Sequence, residues 1–261
     1  MHPQKEGITW ELSKPKAISY AFVLLVFFLW ACSNEEDSSY ITSESNPTHL
    51  NQTDTSSADT IHYSYLALGD SYTIGTALQD SSKAYPIQLV DRLNEDSLLE
   101  GTTPDIVAFG GWRTDQLING IDTAELDDSY TIVSLLIGVN NQFQNRPDSV
   151  YALEFEELLQ TAIQFASGES SNVFVLSIPD YGVTPFGNNY PNASEEVDLF
   201  NDTNREITES YGISYFNITN ISRLAENNPS LLAPDNLHPS GEMYSLWVEE
   251  IIDEVKSKLY E

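Results

Sequence analysis

The chain has 261 residues, 41% of them hydrophobic, which is enough for one domain of ordinary to large size with a buried core. Its 40 acidic against 11 basic residues give a formal charge of -29, and a field of that sign repels a phosphate backbone and excludes nucleic acid as a partner. One cysteine excludes an internal disulfide and any cysteine-rich metal centre.

At the N-terminus, Lys14 and Lys16 precede an apolar run from Ala17 to Trp30, followed at once by Ala31 and Cys32. A basic flank, a short apolar stretch and a small residue describe a secretory signal, and the stretch is too short for a comfortable membrane span. Leu29-Trp30-Ala31-Cys32 resembles a bacterial lipobox, with Trp30 where a smaller residue is usual. That resemblance implies removal of residues 1–31 and lipidation of Cys32. It also implies a domain anchored to a bacterial membrane, with the outer membrane expected, facing the periplasm or the cell surface. Residues 32–59 are rich in Ser, Thr, Asn, Asp and Glu and carry too little apolar surface to order themselves, so a flexible tether is expected. The folded domain is expected over residues 60–261.

Within it, strands are predicted at Tyr63–Leu68, Asp105–Phe109, Thr131–Ile137, Val173–Ile178 and Ile213–Asn217. Helices are predicted at Ala84–Asn94, Asp148–Ala166, Glu195–Tyr211 and Gly241–Leu259. Runs such as Ile132 to Ile137 are nearly continuous in apolar residues, as expected of strands covered on both faces by helices. The alternation predicts an α/β fold, a three-layer α/β/α sandwich with a parallel, flavodoxin-like five-stranded sheet. Ligands of such sheets bind beyond the carboxyl ends of the strands.

The first strand runs into Gly69-Asp70-Ser71, which sets a serine where a nucleophile would project into that cleft. By itself the tripeptide is more often a turn or a helix cap. The glycine two residues after the serine that marks the nucleophile elbow is absent. A serine needs a base, and residues 60–261 contain two histidines. His62 sits at a strand edge, where a surface imidazole is expected. His238 follows Asp235 by three residues, so the carboxylate can fold back onto one ring nitrogen and leave the other to take a proton. Donors for an oxyanion are available at two other strand ends, Gly110-Gly111-Trp112-Arg113 and Gly138-Val139-Asn140-Asn141.

Gly69-Asp70-Ser71, Gly111, Gly138-Val139-Asn140 and Asp235-Asn236-Leu237-His238 occur in the order of the four blocks of the SGNH, or GDSL, hydrolase family, which residues 60–261 resemble throughout. The resemblance implies Ser71 as nucleophile, His238 as general base and then acid, and Asp235 as its orienting carboxylate. It implies an oxyanion hole from the N–H groups of Ser71 and Gly111 and the side-chain amide of Asn140. Asn141 stands where the family usually has Asp, a departure expected to touch local hydrogen bonding more than mechanism.

The expected activity is a serine esterase, or acylhydrolase, working through an acyl-enzyme without metal or organic cofactor. Its substrate is expected to be a small-molecule, glycan or lipid ester. Trp112, Arg113, Tyr181 and Phe186 are expected to shape the pocket. The expected protein is a monomer that meets the membrane through its lipid anchor only. Two alternatives stand beside it: a non-catalytic surface lipoprotein that binds a glycan or peptide on the same fold, and an acyltransferase that shares the acyl-enzyme.

Overall fold

The computed structural model describes residues 59–260. The expected signal segment, Cys32 and nearly all of the expected tether lie outside the described residues. Among the described residues no helix is long and apolar enough to cross a membrane.

The first strand expected from the sequence is two strands, β1 (Ile61–Tyr63) and β2 (Tyr65–Gly69). The chain changes partner at Ser64, whose N–H donates to the Thr131 hydroxyl while Thr131 N–H donates to the Ser64 hydroxyl, each at 3.1 Å. After β2 come α1 (Ser71–Ile74) and α2 (Tyr85–Leu93), then β3 (Leu99–Gly101) and β4 (Asp105–Ala108). Strands β1 and β3 form a small parallel pair of their own. Next are α3 (Thr114–Thr123), β5 (Ile132–Leu136), α4 (Val139–Phe143), α5 (Asp148–Phe165) and β6 (Val173–Leu176). The chain ends with α6 (Ala193–Ser210), β7 (Ser214–Phe216), α7 (Thr219–Ser222) and α8 (Gly241–Lys258). Helix α3 escapes prediction because Asp115, Gln116, Asn119, Gly120 and Asp122 dilute its apolar stripe to Leu117 and Ile121, the two apolar side chains it buries.

The main sheet has the order β4-β2-β5-β6-β7, and every neighbouring pair is parallel. Helices α2 and α8 pack together in one layer; α3, α5 and α6 pack in the other. The expected three-layer parallel sandwich is therefore the fold. Every residue of β5 is buried, including Ser134. That hydroxyl is matched by the Tyr65 and Tyr85 hydroxyls at 2.7 and 3.1 Å, so the polar atom in the middle of the core is satisfied.

Strand order reverses between β2 and β5: β2 leads outward to β4, and the chain then returns to β5 on the other side. The connections leave the two carboxyl ends in opposite directions and open a crevice between them. Gly69, the last residue of β2, pairs with both Ala108 and Leu136. A Cβ there would stand 2.0 Å from the Thr73 hydroxyl oxygen and 2.5 Å from the Leu136 carbonyl, so only glycine lets α1 turn back this tightly over the strand end.

Candidate active site

Ser71 is the first residue of α1 and Asp70 is its cap, accepting the Tyr72 N–H through Oδ1 at 3.0 Å. The Ser71 N–H, at the start of the helix, has no carbonyl one turn earlier to receive it. Helix α1 is held from above by α8, where the Tyr244 hydroxyl donates to the Tyr72 carbonyl at 2.8 Å.

His238 comes from a different part of the chain, in a short clamp before α8. Ala233 N–H donates to the His238 carbonyl at 2.7 Å and Ser240 N–H to the Leu231 carbonyl at 2.8 Å. Inside the clamp, Asn236 has φ +57°, and Asp235 Oδ1 accepts from the N–H groups of Leu237 and His238 at 3.1 and 3.0 Å. Asp235 Oδ2 lies 2.6 Å from His238 Nδ1. Partial burial raises the Asp235 pKa, but the hydrogen bonds from His238 and Leu237 outweigh it, and the carboxyl titrates below its ordinary value. Ionised near neutral pH, the carboxylate accepts an Nδ1–H and leaves Nε2 as the basic nitrogen.

The loop after β4 supplies Gly111, exposed and at φ +84°, a left-handed conformation that a side chain would strain. Its carbonyl accepts from Gln144 Nε2 at 3.3 Å. Among the described residues no acceptor takes the N–H of Gly111 or that of Ser71. Asn140 enters from α4, with Nδ2 donating to the Trp112 carbonyl at 3.0 Å and lying 3.5 Å from Asp70 Oδ2. Asn141, beside it, is buried: its Oδ1 accepts from Thr114 N–H at 3.0 Å and its Nδ2 donates to the Thr114 hydroxyl at 2.6 Å. The residue that departs from the family pattern thus pins the start of α3, and with it the Gly111 loop, to α4.

These pieces meet in one cavity of about 300 Å³ at the crevice, lined by Ser71, Gly111, Asn140 and His238 and by an apolar wall of Tyr72, Val139, Phe143, Tyr181, Phe186 and Leu237. No hydrogen bond joins Ser71 to His238 among the described residues. Asp70, beneath the serine, is fully buried, and burial pushes its pKa up to about 7 against the hydrogen bonds from Tyr72 and Asn140. A hydroxyl, an imidazole with an oriented carboxylate and unspent N–H donors around a largely apolar pocket form an arrangement suited to acyl transfer.

A model of the GDSL-like lipase/acylhydrolase family matches residues 67–246. The chain belongs to this family. It is a hydrolase of the acylhydrolase type, and its fold is that of solved esterases. A lipase/acylhydrolase from Enterococcus faecalis superposes with a TM-score of 0.56 at 20% identity, covering 75% of this chain and 96% of that one. The psychrotrophic esterase EstA from Pseudoalteromonas sp. gives 0.55 at 17%, covering 76% and 99%. An acetyl xylan esterase from Geobacillus stearothermophilus gives 0.56 at 16%, covering 76% and 96%. No curated protein matches the chain in sequence.

In this acylhydrolase, Tyr181 and Phe186 line the cavity, whereas Trp112 and Arg113 do not. The Trp112 ring covers Gly120 of α3 and stands 5.8 Å from the Phe109 ring, and only its backbone carbonyl reaches Asn140. The Arg113 guanidinium is engaged by Asp115 and Gln144. Packing against α3 draws both side chains off the pocket. His62 lies exposed beside Glu100, as a surface imidazole. Sequence reasoning missed Tyr72, Val139, Phe143 and Leu237. Val139 and Phe143 are four residues apart on α4, so recognising a helix there would have set them on one face.

Proposed function

We propose that the chain is a serine carboxylic ester hydrolase. Ser71 Oγ attacks the ester carbonyl while His238 Nε2 takes its proton; collapse of the tetrahedral intermediate breaks the ester C–O bond, and the same proton leaves with the alcohol. Water, deprotonated by His238, then adds to the acyl-enzyme and releases the acid and Ser71. Asp235 holds the imidazole and balances its transient positive charge. The oxyanion is received by the N–H groups of Ser71 and Gly111 and by Asn140. One hydrogen of the Asn140 amide is committed to Trp112, and the other makes only a long contact to Asp70, which an oxyanion can displace. Cleavage needs no metal or organic cofactor in this scheme.

The single observation that carries this reading is the shared wall: Ser71, Gly111, Asn140 and His238, from four distant segments, line one cavity, with Asp235 2.6 Å from His238. A non-catalytic binding module requires no such combination. The test is a fluorophosphonate probe followed by peptide mapping. Labelling at Ser71 that is lost on prior heating and in Ser71→Ala is the expected result; an unlabelled, folded protein would refute it.

We also propose that the domain is monomeric and reaches a bacterial membrane through lipidated Cys32. Globomycin-sensitive processing and detergent partition, both lost in Cys32→Ala, are the expected signs.

A further inference from the structure

Phe143 ends the short helix that carries Asn140, and it lines two cavities at once: the one that holds Ser71 and a second, of about 230 Å³. Among the described residues the two cavities share only Phe143 and Tyr181, so these two side chains are the wall between them. The two sides of the wall differ. On the Ser71 side Phe143 continues an apolar surface with Val139 and Phe186, whereas the cavity behind is lined by polar residues such as Asn145, Asn189 and Glu196.

The wall is braced. The rings of Phe143, Tyr181, Phe186 and Tyr190 form one cluster in which every pair of centroids lies 5.3 to 6.2 Å apart. Tyr181 is buried, and its carbonyl accepts from the Thr184 N–H and hydroxyl at 3.0 and 2.7 Å, which fixes that half of the wall in the fold. Phe143 is 38% exposed, and it is the half whose side chain can change without opening the core.

In the proposed reaction the tetrahedral carbon on Ser71 Oγ carries an oxyanion, an alcohol and an acyl group. The oxyanion turns to its N–H donors, and the alcohol must meet His238 Nε2, which protonates it. Sheet order sets Ser71, after β2, between Gly110, after β4, and the helix α4 that follows β5. Gly110 offers no side chain; α4 presents Val139 and Phe143 to the cavity. From this, and resting on the ester hydrolase reading above, we infer that Phe143 sets the acyl specificity of the enzyme: the acyl group is an uncharged alkyl chain that runs along Val139 toward Phe143, whose ring stops it. Methylenes laid on the apolar side of the wall leave water and strengthen binding. A chain long enough to reach the ring must displace it or pass among amides and a carboxylate, where burial of methylenes strips water from polar groups without replacing its hydrogen bonds.

The test measures kcat/KM for p-nitrophenyl esters from acetate to laurate with the full chain and with Phe143→Ala and Phe143→Trp. In the wild type each added methylene should raise kcat/KM by about threefold until the chain meets the ring, and lower it thereafter. Phe143→Ala is expected to move that maximum about two to four carbons longer, and Phe143→Trp about one or two carbons shorter. A series of alkyl acetates, in which the alcohol lengthens instead, should keep one profile in all three proteins. Maxima that stay in place overturn the assignment, since a variant that merely loosened the fold slows every ester in proportion. A shift in the alkyl acetate series in place of the acyl series overturns it as well. If no ester is cleaved and Ser71 is not labelled, the hydrolase reading has failed and the acyl assignment falls with it; cleavage with unmoved maxima removes the role of Phe143 alone.

Discussion

Asp235 and His238 are joined twice, Oδ1 to the backbone N–H at 3.0 Å and Oδ2 to Nδ1 at 2.6 Å, so one carboxylate sets both the turn and the ring. Asp235→Asn keeps an oxygen for the backbone but presents an N–H to Nδ1, which favours the wrong tautomer. We expect kcat to fall by about 10² to 10⁴ fold with KM little changed. An unaltered kcat on p-nitrophenyl acetate would show that the pair is only structural.

Ser71→Ala and His238→Ala should each lower kcat by roughly 10⁴ to 10⁶ fold, and the double variant should be no worse than either. Additive losses in that cycle would mean that the two side chains do not act in one step.

Asn140→Ala should cost about 10² to 10³ fold in kcat, the range for removing one oxyanion donor. Its thermal stability is expected to change little compared with that of Asn141→Ala, because Asn141 is fully buried and bonded twice to Thr114. Steady-state kinetics and melting curves of the two variants, measured together, check both halves.

Asp70 gives the fold a pH dependence of defined sign. Its carboxyl holds a proton to about pH 7 in the folded state, against 3.8 as the ordinary value, so the folded state binds more protons across that window and the contribution of Asp70 to stability falls as pH rises through it. Asp70→Asn stays neutral. Its Tm relative to wild type should therefore become more favourable from pH 5 to pH 8, whatever fixed offset the new amide introduces beside Asn140. A relative Tm that is flat or moves the other way would show that Asp70 is ionised in the fold.

Gly69→Ala must push aside Thr73 or the Leu136 carbonyl, and backbone cannot yield cheaply. A loss of about 3 kcal/mol or more is expected in chemical denaturation, accompanied by loss of activity as α1 and Ser71 shift. Wild-type stability would mean that the strand end is looser than its register implies.

The layers and the kinds of chemistry were legible in the residues alone. Apolar runs such as Ile132 to Ile137, short and rich in β-branched residues, fit strands buried on both faces, and Gly69-Asp70-Ser71 and Asp235-Asn236-Leu237-His238 carry their local turns in their own residues, through a glycine at the strand end and an Asp that accepts from the N–H groups following it. Which side chains share a space was not legible there, because packing across the fold sets it. Trp112 and Arg113 stand next to Gly111 in sequence, yet packing against α3 and pairing with Asp115 take them off the pocket, while Phe143 arrives on a helix too short and polar to be seen in the pattern. Local rules act over a few residues along the chain. A pocket wall is set by packing between elements far apart in sequence, and periodicity carries no record of that.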